Sequence, residues 1–170
     1  MEIINKKLTD KQKLFFKNLY NYLDDNEIYF YGSILRNDYI YGKSDIDIDI
    51  FTDNEKKTIY ILSNFLNLNK DSFKKIIYKI NSKMIYGHKV KYKDTFNEID
   101  VEFSIYNNNY KKLIIQDHQA VLNLPLYMPF LLSIIKFFYY NLNLMSKKYY
   151  SRCKQFLMNN DEIKFILYDF

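Results

Sequence analysis

The chain contains little cysteine, glycine or proline and no tryptophan, and these scarcities exclude several classes of protein. Its 170 residues include one Cys, three Gly and two Pro. A single cysteine, Cys153, cannot form an internal disulfide, which favours a reducing, cytoplasmic compartment over secretion. The first residues lack the apolar segment of a signal peptide, and the longest apolar stretch, residues 122–140, is interrupted by polar residues and prolines. We therefore expect no contact with a membrane.

Lysine supplies nearly all of the positive charge. Of 25 basic residues only Arg36 and Arg152 are arginines, and the formal net charge is +5. Hydrophobic residues make up 48% of the chain, which is enough for one globular domain with a core. The positive balance permits a polyanionic partner such as nucleic acid.

Residues 45–50 alternate strictly between aspartate and isoleucine. Alternate side chains of a strand share one face, and carboxylates two residues apart lie about 6.5–7 Å apart along it. This spacing suits a pair of divalent ions held about 3.5–4 Å apart. Acids have poor strand propensity and repel one another on a shared face, so the pattern indicates a bound cation. Asp45 and Asp47 are the candidate ligands. Asp49 shares their face; solvent exposure or a contact to the ligands is favoured for it over a direct role.

A strand-like run, residues 28–31, ends at Gly32 and Ser33. Glycine allows the backbone to turn there and to offer N–H groups to a phosphate. A phosphate-binding turn beside a pair of carboxylates provides the groups that metal-assisted phosphoryl or nucleotidyl transfer requires.

The periodicity of the apolar residues predicts the order of the elements. Capping boxes that start at Thr9 and at Thr52 each predict a helix, and alternation from 73 to 106 indicates a meander of strands. The last of these strands would carry Glu98, Asp100 and Glu102 on one face, with Glu98 in solvent. The expected elements are helix 9–24, strand 28–31, loop 34–44, strand 45–51, a helix to about residue 68, strands within 73–106, and helices 110–122, 129–144 and 146–158.

The segment 30–48 resembles the polymerase-beta-like nucleotidyltransferase superfamily, whose motif is a strand, Gly-Ser, a spacer and then Asp-h-Asp-h, where h is apolar. The spacer carries Arg36, as in the minimal nucleotidyltransferases, although Asn37 replaces their usual glycine. The resemblance implies an α/β (α+β) fold with a small mixed β-sheet and helices on one face. The catalytic core would span 1–106, and a C-terminal helical segment, 107–170, would pack on it within one compact domain.

The resemblance also implies a set of site residues. Asp45 and Asp47 would bridge two Mg²⁺ (or Mn²⁺) ions. Asp100, in Ile99-Asp100-Val101, would supply the third acid, with Glu102 as the alternative. Candidate contacts to the triphosphate, expected to be ATP, are Gly32, Ser33, Arg36 and Lys136; Lys136 lies in a helix similar to one in terminal nucleotidyltransferases and could instead extend to solvent.

The expected reaction is transfer of a nucleoside monophosphate from an NTP to a hydroxyl with release of pyrophosphate. The acceptor is expected to be an RNA or DNA 3′ end, because the chain combines a basic balance with abundant stacking aromatics. Three alternatives remain: a minimal nucleotidyltransferase that adenylylates a protein as an antitoxin does, one that modifies a small molecule, and a non-catalytic binding subunit. A protein partner or a homodimer would fit the short chain.

Overall fold

The structure is a computed structural model that describes residues 2–23, 26–122, 125, 127–157 and 166–167. The strands are β1 (Glu27–Tyr31), β2 (Ile46–Thr52), β3 (Lys74–Ile80), β4 (Lys83–Asp94), β5 (Ile99–Asn107) and β6 (Ile166–Leu167). The helices are α1 (Glu2–Asn5), α2 (Asp10–Tyr22), α3 (Glu55–Leu66), α4 (Lys111–Leu122), α5 (Tyr127–Tyr140) and α6 (Lys147–Leu157). The predicted helix ends at residues 24 and 158 lie outside the described residues.

The six strands form one sheet in the order β1-β2-β5-β4-β3-β6. The β2–β5 pair is parallel, while β1–β2, β4–β5, β3–β4 and β3–β6 are antiparallel. The predicted α/β class with a small mixed sheet is therefore confirmed. Gly87 lies inside the continuous strand β4, where a β-carbon would meet the Tyr106 ring at 2.5 Å.

Two cores lie on opposite faces of the sheet. The isoleucines of β2 and the apolar residues of β5 alternate inward and pack with α2 and α3 in the larger core. On the other face, Ile114 of α4 packs with Phe51, Ile76 and Tyr106 in a smaller core. Because Phe51 lies at the end of β2 remote from Asp45, α4 covers one end of the acid-bearing face.

The capping box of α2 forms as predicted. The Thr9 hydroxyl accepts from the Gln12 N–H at 3.2 Å, and the Gln12 side chain accepts from the Thr9 N–H at 3.0 Å. The predicted box at Thr52 is wrong: Asn54 caps α3 by accepting from the Lys57 N–H at 3.0 Å. Thr52 is still part of β2, and so it cannot act as the cap.

No helix among the described residues is both long enough and apolar enough to cross a membrane.

Candidate active site

Five acids lie close together on or directly before the parallel strands β2 and β5. Asp47 of β2 is directly opposite Glu102 of β5, and Asp49 is opposite Ser104. Asp45 immediately precedes β2, and Asp100 lies two residues before Glu102, so alternation brings all these acids to one face. Asp100 could lie near Asp45 and Asp47 only if β5 is beside β2, and the structure pairs these two strands.

The turn after β1 brings the backbone against the acid pair. Gly32 has φ +73, a left-handed conformation that glycine adopts without a steric penalty. A β-carbon at this position would lie 2.3 Å from Oδ2 of Asp47. Only glycine therefore allows the Asp47 carboxylate to approach the turn this closely.

Ser33 follows in a 3₁₀ turn that spans Gly32–Leu35. Its side chain is buried, and its hydroxyl has no hydrogen-bond partner within the described part of the chain. A buried polar group without a partner costs about 1–3 kcal/mol. The Ser33 hydroxyl is thus available to an oxygen of a bound ligand, next to the acid pair.

Asp47 has a strongly perturbed carboxyl group. Burial, reinforced by the negative charge of Asp45, raises its pKa to about 7, while the charge of Lys154 opposes the rise. A cation bound at this site would favour the ionised form and reverse the shift.

Three lysines of β4 form ion pairs with Asp45, Asp100 and Glu102. Lys89 contacts Glu102 at 2.8 Å. Lys91 lies between Asp45 and Asp100, at 3.6 and 3.3 Å. Lys93 also pairs with Asp100, at 3.4 Å.

These acids fit a divalent ion, although their side chains are engaged by lysines. Across the described residues no group of three or more His, Cys, Asp or Glu side chains is arranged to hold a metal. One ammonium, that of Lys91, nevertheless lies within 4 Å of carboxylates from both Asp45 and Asp100. A single cation can therefore bridge the two strands, and carboxylate oxygens are the donors that Mg²⁺ prefers.

Asp49 is fully buried, so the predicted alternative of solvent exposure is wrong. Its Oδ2 lies 2.7 Å from Nε2 of His118 on α4. The His118 ring stacks on Tyr31 with ring centroids 4.1 Å apart and planes 6° from parallel. Asp49 thus joins β2 to α4 through His118, beside the other acids of this face.

Arg36 and Lys136 converge on a residue that the sequence analysis did not single out, Asp38. The Arg36 guanidinium donates to both carboxylate oxygens of Asp38, at 2.8 and 3.1 Å. Lys136 donates to the Asp38 backbone carbonyl at 2.8 Å and pairs with its carboxylate at 2.9 Å. All three side chains are at most 4% exposed, so Lys136 does not extend to solvent as the alternative prediction held.

This buried cluster fastens the loop before β2 to α5. Burial opposes ionisation of Asp38, but the Arg36 hydrogen bond and the Lys136 charge hold its pKa below the ordinary value. Two cations on one carboxylate leave one excess positive charge beside the strand that carries the acids.

The C-terminal helices also border the acids. Burial, followed by the charge of Asp45, raises the pKa of Tyr150 on α6 to about 12. The Tyr150 ring stacks on Tyr139 of α5 with centroids 4.4 Å apart. Lys154 lies one helical turn after Tyr150 and so shares its face.

Several solved structures resemble the chain at low identity. The poly(U) polymerase Cid1 bound to MgGTP matches with a TM-score of 0.41 and 15% identity over 79% of this chain and 45% of its own. The GLD-2/RNP-8 complex matches with a TM-score of 0.42 and 14% identity, over 86% of this chain and 49% of its own. A cytoplasmic RNA terminal U-transferase matches with a TM-score of 0.37 and 18% identity, over 79% of this chain and 43% of its own. The chain therefore spans less than half the length of each.

A comparison with curated proteins found no match. The family model for the nucleotidyltransferase domain matches residues 9–121, which is more than half of the chain. The matched span contains the Gly-Ser turn and every acid of the sheet face described above. The chain belongs to the nucleotidyltransferase domain family.

Proposed function

We propose that this protein transfers a nucleoside monophosphate from an NTP, with ATP as the expected donor, to the 3′ hydroxyl of a nucleic acid. The observation that carries the proposal is the close approach of Gly32 to Asp47. It puts a turn suited to phosphate against a carboxylate suited to metal, and nucleotidyl transfer needs both in contact with one triphosphate.

Asp45, Asp47 and Asp100 would hold Mg²⁺ or Mn²⁺. Asp100 is favoured over Glu102 as the third ligand because it already shares one cation with Asp45, whereas Glu102 pairs with Lys89. When bound, the metal would lower the pKa of the acceptor hydroxyl and neutralise charge on the phosphates.

The remaining groups of the turn and sheet would bind and orient the substrates. The Ser33 hydroxyl and the backbone N–H groups of the turn would donate to phosphate oxygens. The Asp100 carboxylate would accept the proton of the acceptor hydroxyl. Arg36 and Lys136 would act on the triphosphate through the excess positive charge that they hold around Asp38.

The charge and aromatic content of the C-terminal helices supports a nucleic-acid acceptor. Residues 118–160 contain no Asp or Glu. A single strand needs cations for its phosphates and ring faces for its bases. The basic side chains in this stretch are Lys136, Lys147, Lys148, Arg152 and Lys154, and its exposed aromatic side chains are Tyr127, Phe130, Phe137, Phe138, Tyr149 and Phe156.

The test is transfer of label from each α-³²P NTP, with Mg²⁺ or Mn²⁺, to oligo-RNA, oligo-DNA or total lysate. Asp47→Asn should abolish transfer to oligonucleotides, while Asp71→Asn, a change at an exposed turn, should leave it intact. Label that appears on a lysate protein alone would contradict the nucleic-acid acceptor and favour protein adenylylation. Absence of Asp47-dependent label under every condition would contradict the enzymatic proposal.

A further inference from the structure

Lysines occupy three alternate positions of β4, namely 89, 91 and 93. The register places Lys93 opposite Asp100 and Lys91 opposite Glu102 on β5. Because alternate residues of a strand share a face, the three ammonium groups lie on the same side of the sheet as the acids. The basic residues of β4 thus lie beside the acidic residues of β5, which in turn adjoin those of β2.

Lys91 differs from the other two in what it joins. Its ammonium lies 3.6 Å from Oδ2 of Asp45 and 3.3 Å from Oδ1 of Asp100. These carboxylates belong to segments that are separate in sequence and meet only through the β2–β5 pairing. Lys91 therefore holds a place between the two acids, whereas Lys93 approaches Asp100 from its other oxygen, Oδ2.

We propose that the Lys91 ammonium is a resident cation in the place between Asp45 and Asp100 that a divalent ion takes, and that metal binding displaces it. Lys91 is thus a positioning residue, which keeps the two carboxylates together while no metal is bound. The inference rests on the proposed function, because it assumes that these acids are the metal ligands.

The exchange is physically easy. The side chain of Lys91 is 47% exposed, so its ammonium can withdraw to water by a change of rotamer, without movement of the strand. A divalent ion then replaces one positive charge with two between the same oxygens. Part-exposed ion pairs are individually weak, and so the lysine competes with the metal without excluding it.

The experiment measures Mn²⁺ affinity of the full chain by electron paramagnetic resonance, without NTP. Lys91→Met and Lys91→Gln should each bind Mn²⁺ roughly three- to tenfold more tightly than the wild type, because two weak ion pairs no longer compete. Lys91→Arg keeps the charge and should bind as the wild type does. Lys93→Met, the matched control, should change the affinity less than Lys91→Met.

Thermal unfolding supplies a second readout. In chelator, Lys91→Met should melt below the wild type, because Asp45 and Asp100 are left to repel each other. Saturating Mn²⁺ should remove this difference, since the metal then bridges the acids in both proteins.

The outcomes separate the inference from the proposed function. Asp47→Asn should lose Mn²⁺ binding. If it does, but Lys91→Met and Lys91→Gln bind Mn²⁺ no more tightly than the wild type, the displacement inference is wrong and the metal site stands. If Asp47→Asn binds Mn²⁺ as the wild type does, both the metal site and the inference are wrong.

Discussion

Gly32 and Asp47 approach each other so closely that a β-carbon on the glycine would lie 2.3 Å from the carboxylate oxygen Oδ2. The two residues come from adjacent antiparallel strands, since Tyr31 pairs with Asp47 in the β1–β2 register. The Gly-Ser turn and the aspartate-bearing strand β2 are therefore fixed relative to each other by this close contact.

Gly32→Ala should reduce nucleotidyl transfer by about 100-fold or more, because the added methyl group must displace the Asp47 carboxylate, and a shift of about 1 Å can cost that much. The matched control is Gly42→Ala. Gly42 has φ +68, but its β-carbon would meet no atom within 4 Å, so this variant carries the backbone strain without the clash. Steady-state rates should fall far more for Gly32→Ala; equal losses would show that strain alone is responsible.

The raised pKa of Asp47 predicts a pH-dependent stability in chelator. A carboxyl whose pKa is about 7 in the folded chain and 3.8 ordinarily binds its proton more tightly when folded. Its contribution to stability is therefore complete below pH 4 and is lost as the pH rises to about 7. Melting temperatures from pH 5 to 8 should fall more steeply for the wild type than for Asp47→Asn, and Mg²⁺ should offset the loss above pH 7. If the melting temperatures of the two proteins fall equally with pH, the pKa of Asp47 is not raised in the folded chain.

His118→Ala should destabilise the fold by about 1–3 kcal/mol, because it leaves the buried Asp49 carboxylate without its hydrogen bond. His88→Ala is the matched control, since His88 pairs with Glu55 where both side chains are at least 22% exposed. Urea denaturation should give a clearly smaller loss for His88→Ala. A similar loss for both variants would mean that the Asp49–His118 contact has no special weight.

Removal of the Asp38 charge should be among the most destabilising single changes in the chain. Asp38→Asn would leave Arg36 and Lys136 as buried cations with no counter-ion, which costs about 3–5 kcal/mol. Asp10→Asn removes the exposed partner of Lys13 and should leave stability nearly unchanged. Urea midpoints of the two variants measure the difference, and an Asp38→Asn protein as stable as Asp10→Asn would contradict the buried cluster.

Local patterns predicted the elements that form the site. The strict alternation of residues 45–50 predicts β2, and Gly32 after the apolar run 28–31 predicts the turn. The Thr9 capping box fixed the start of α2 because all its contacts lie within three residues. The Thr52 box failed because the strand continues through Thr52, and strand length depends on pairing with β5 rather than on the local sequence.

Contacts between distant parts of the chain could not be predicted in this way. Lys136 and Asp38 are 98 residues apart, and His118 and Asp49 are 69 apart. Their pairing follows from where α5 and α4 pack, which periodicity does not specify. The lysines of β4 are different, because their alternation around Lys91 is visible in the sequence. It indicates ion pairs with the acids of β5, but only once β4 and β5 are known to be neighbours.

The most direct test of transfer to a 3′ hydroxyl uses α-³²P ATP, with Mg²⁺, and two oligonucleotides that differ only at the 3′ end, one with a 3′ hydroxyl and one with a 3′ hydrogen. Label is expected on the hydroxyl-bearing oligonucleotide alone, with release of pyrophosphate, and none is expected with Asp47→Asn. Equal labelling of both oligonucleotides, or labelling that survives in Asp47→Asn, would contradict a nucleotidyltransferase that acts on a 3′ hydroxyl at this site.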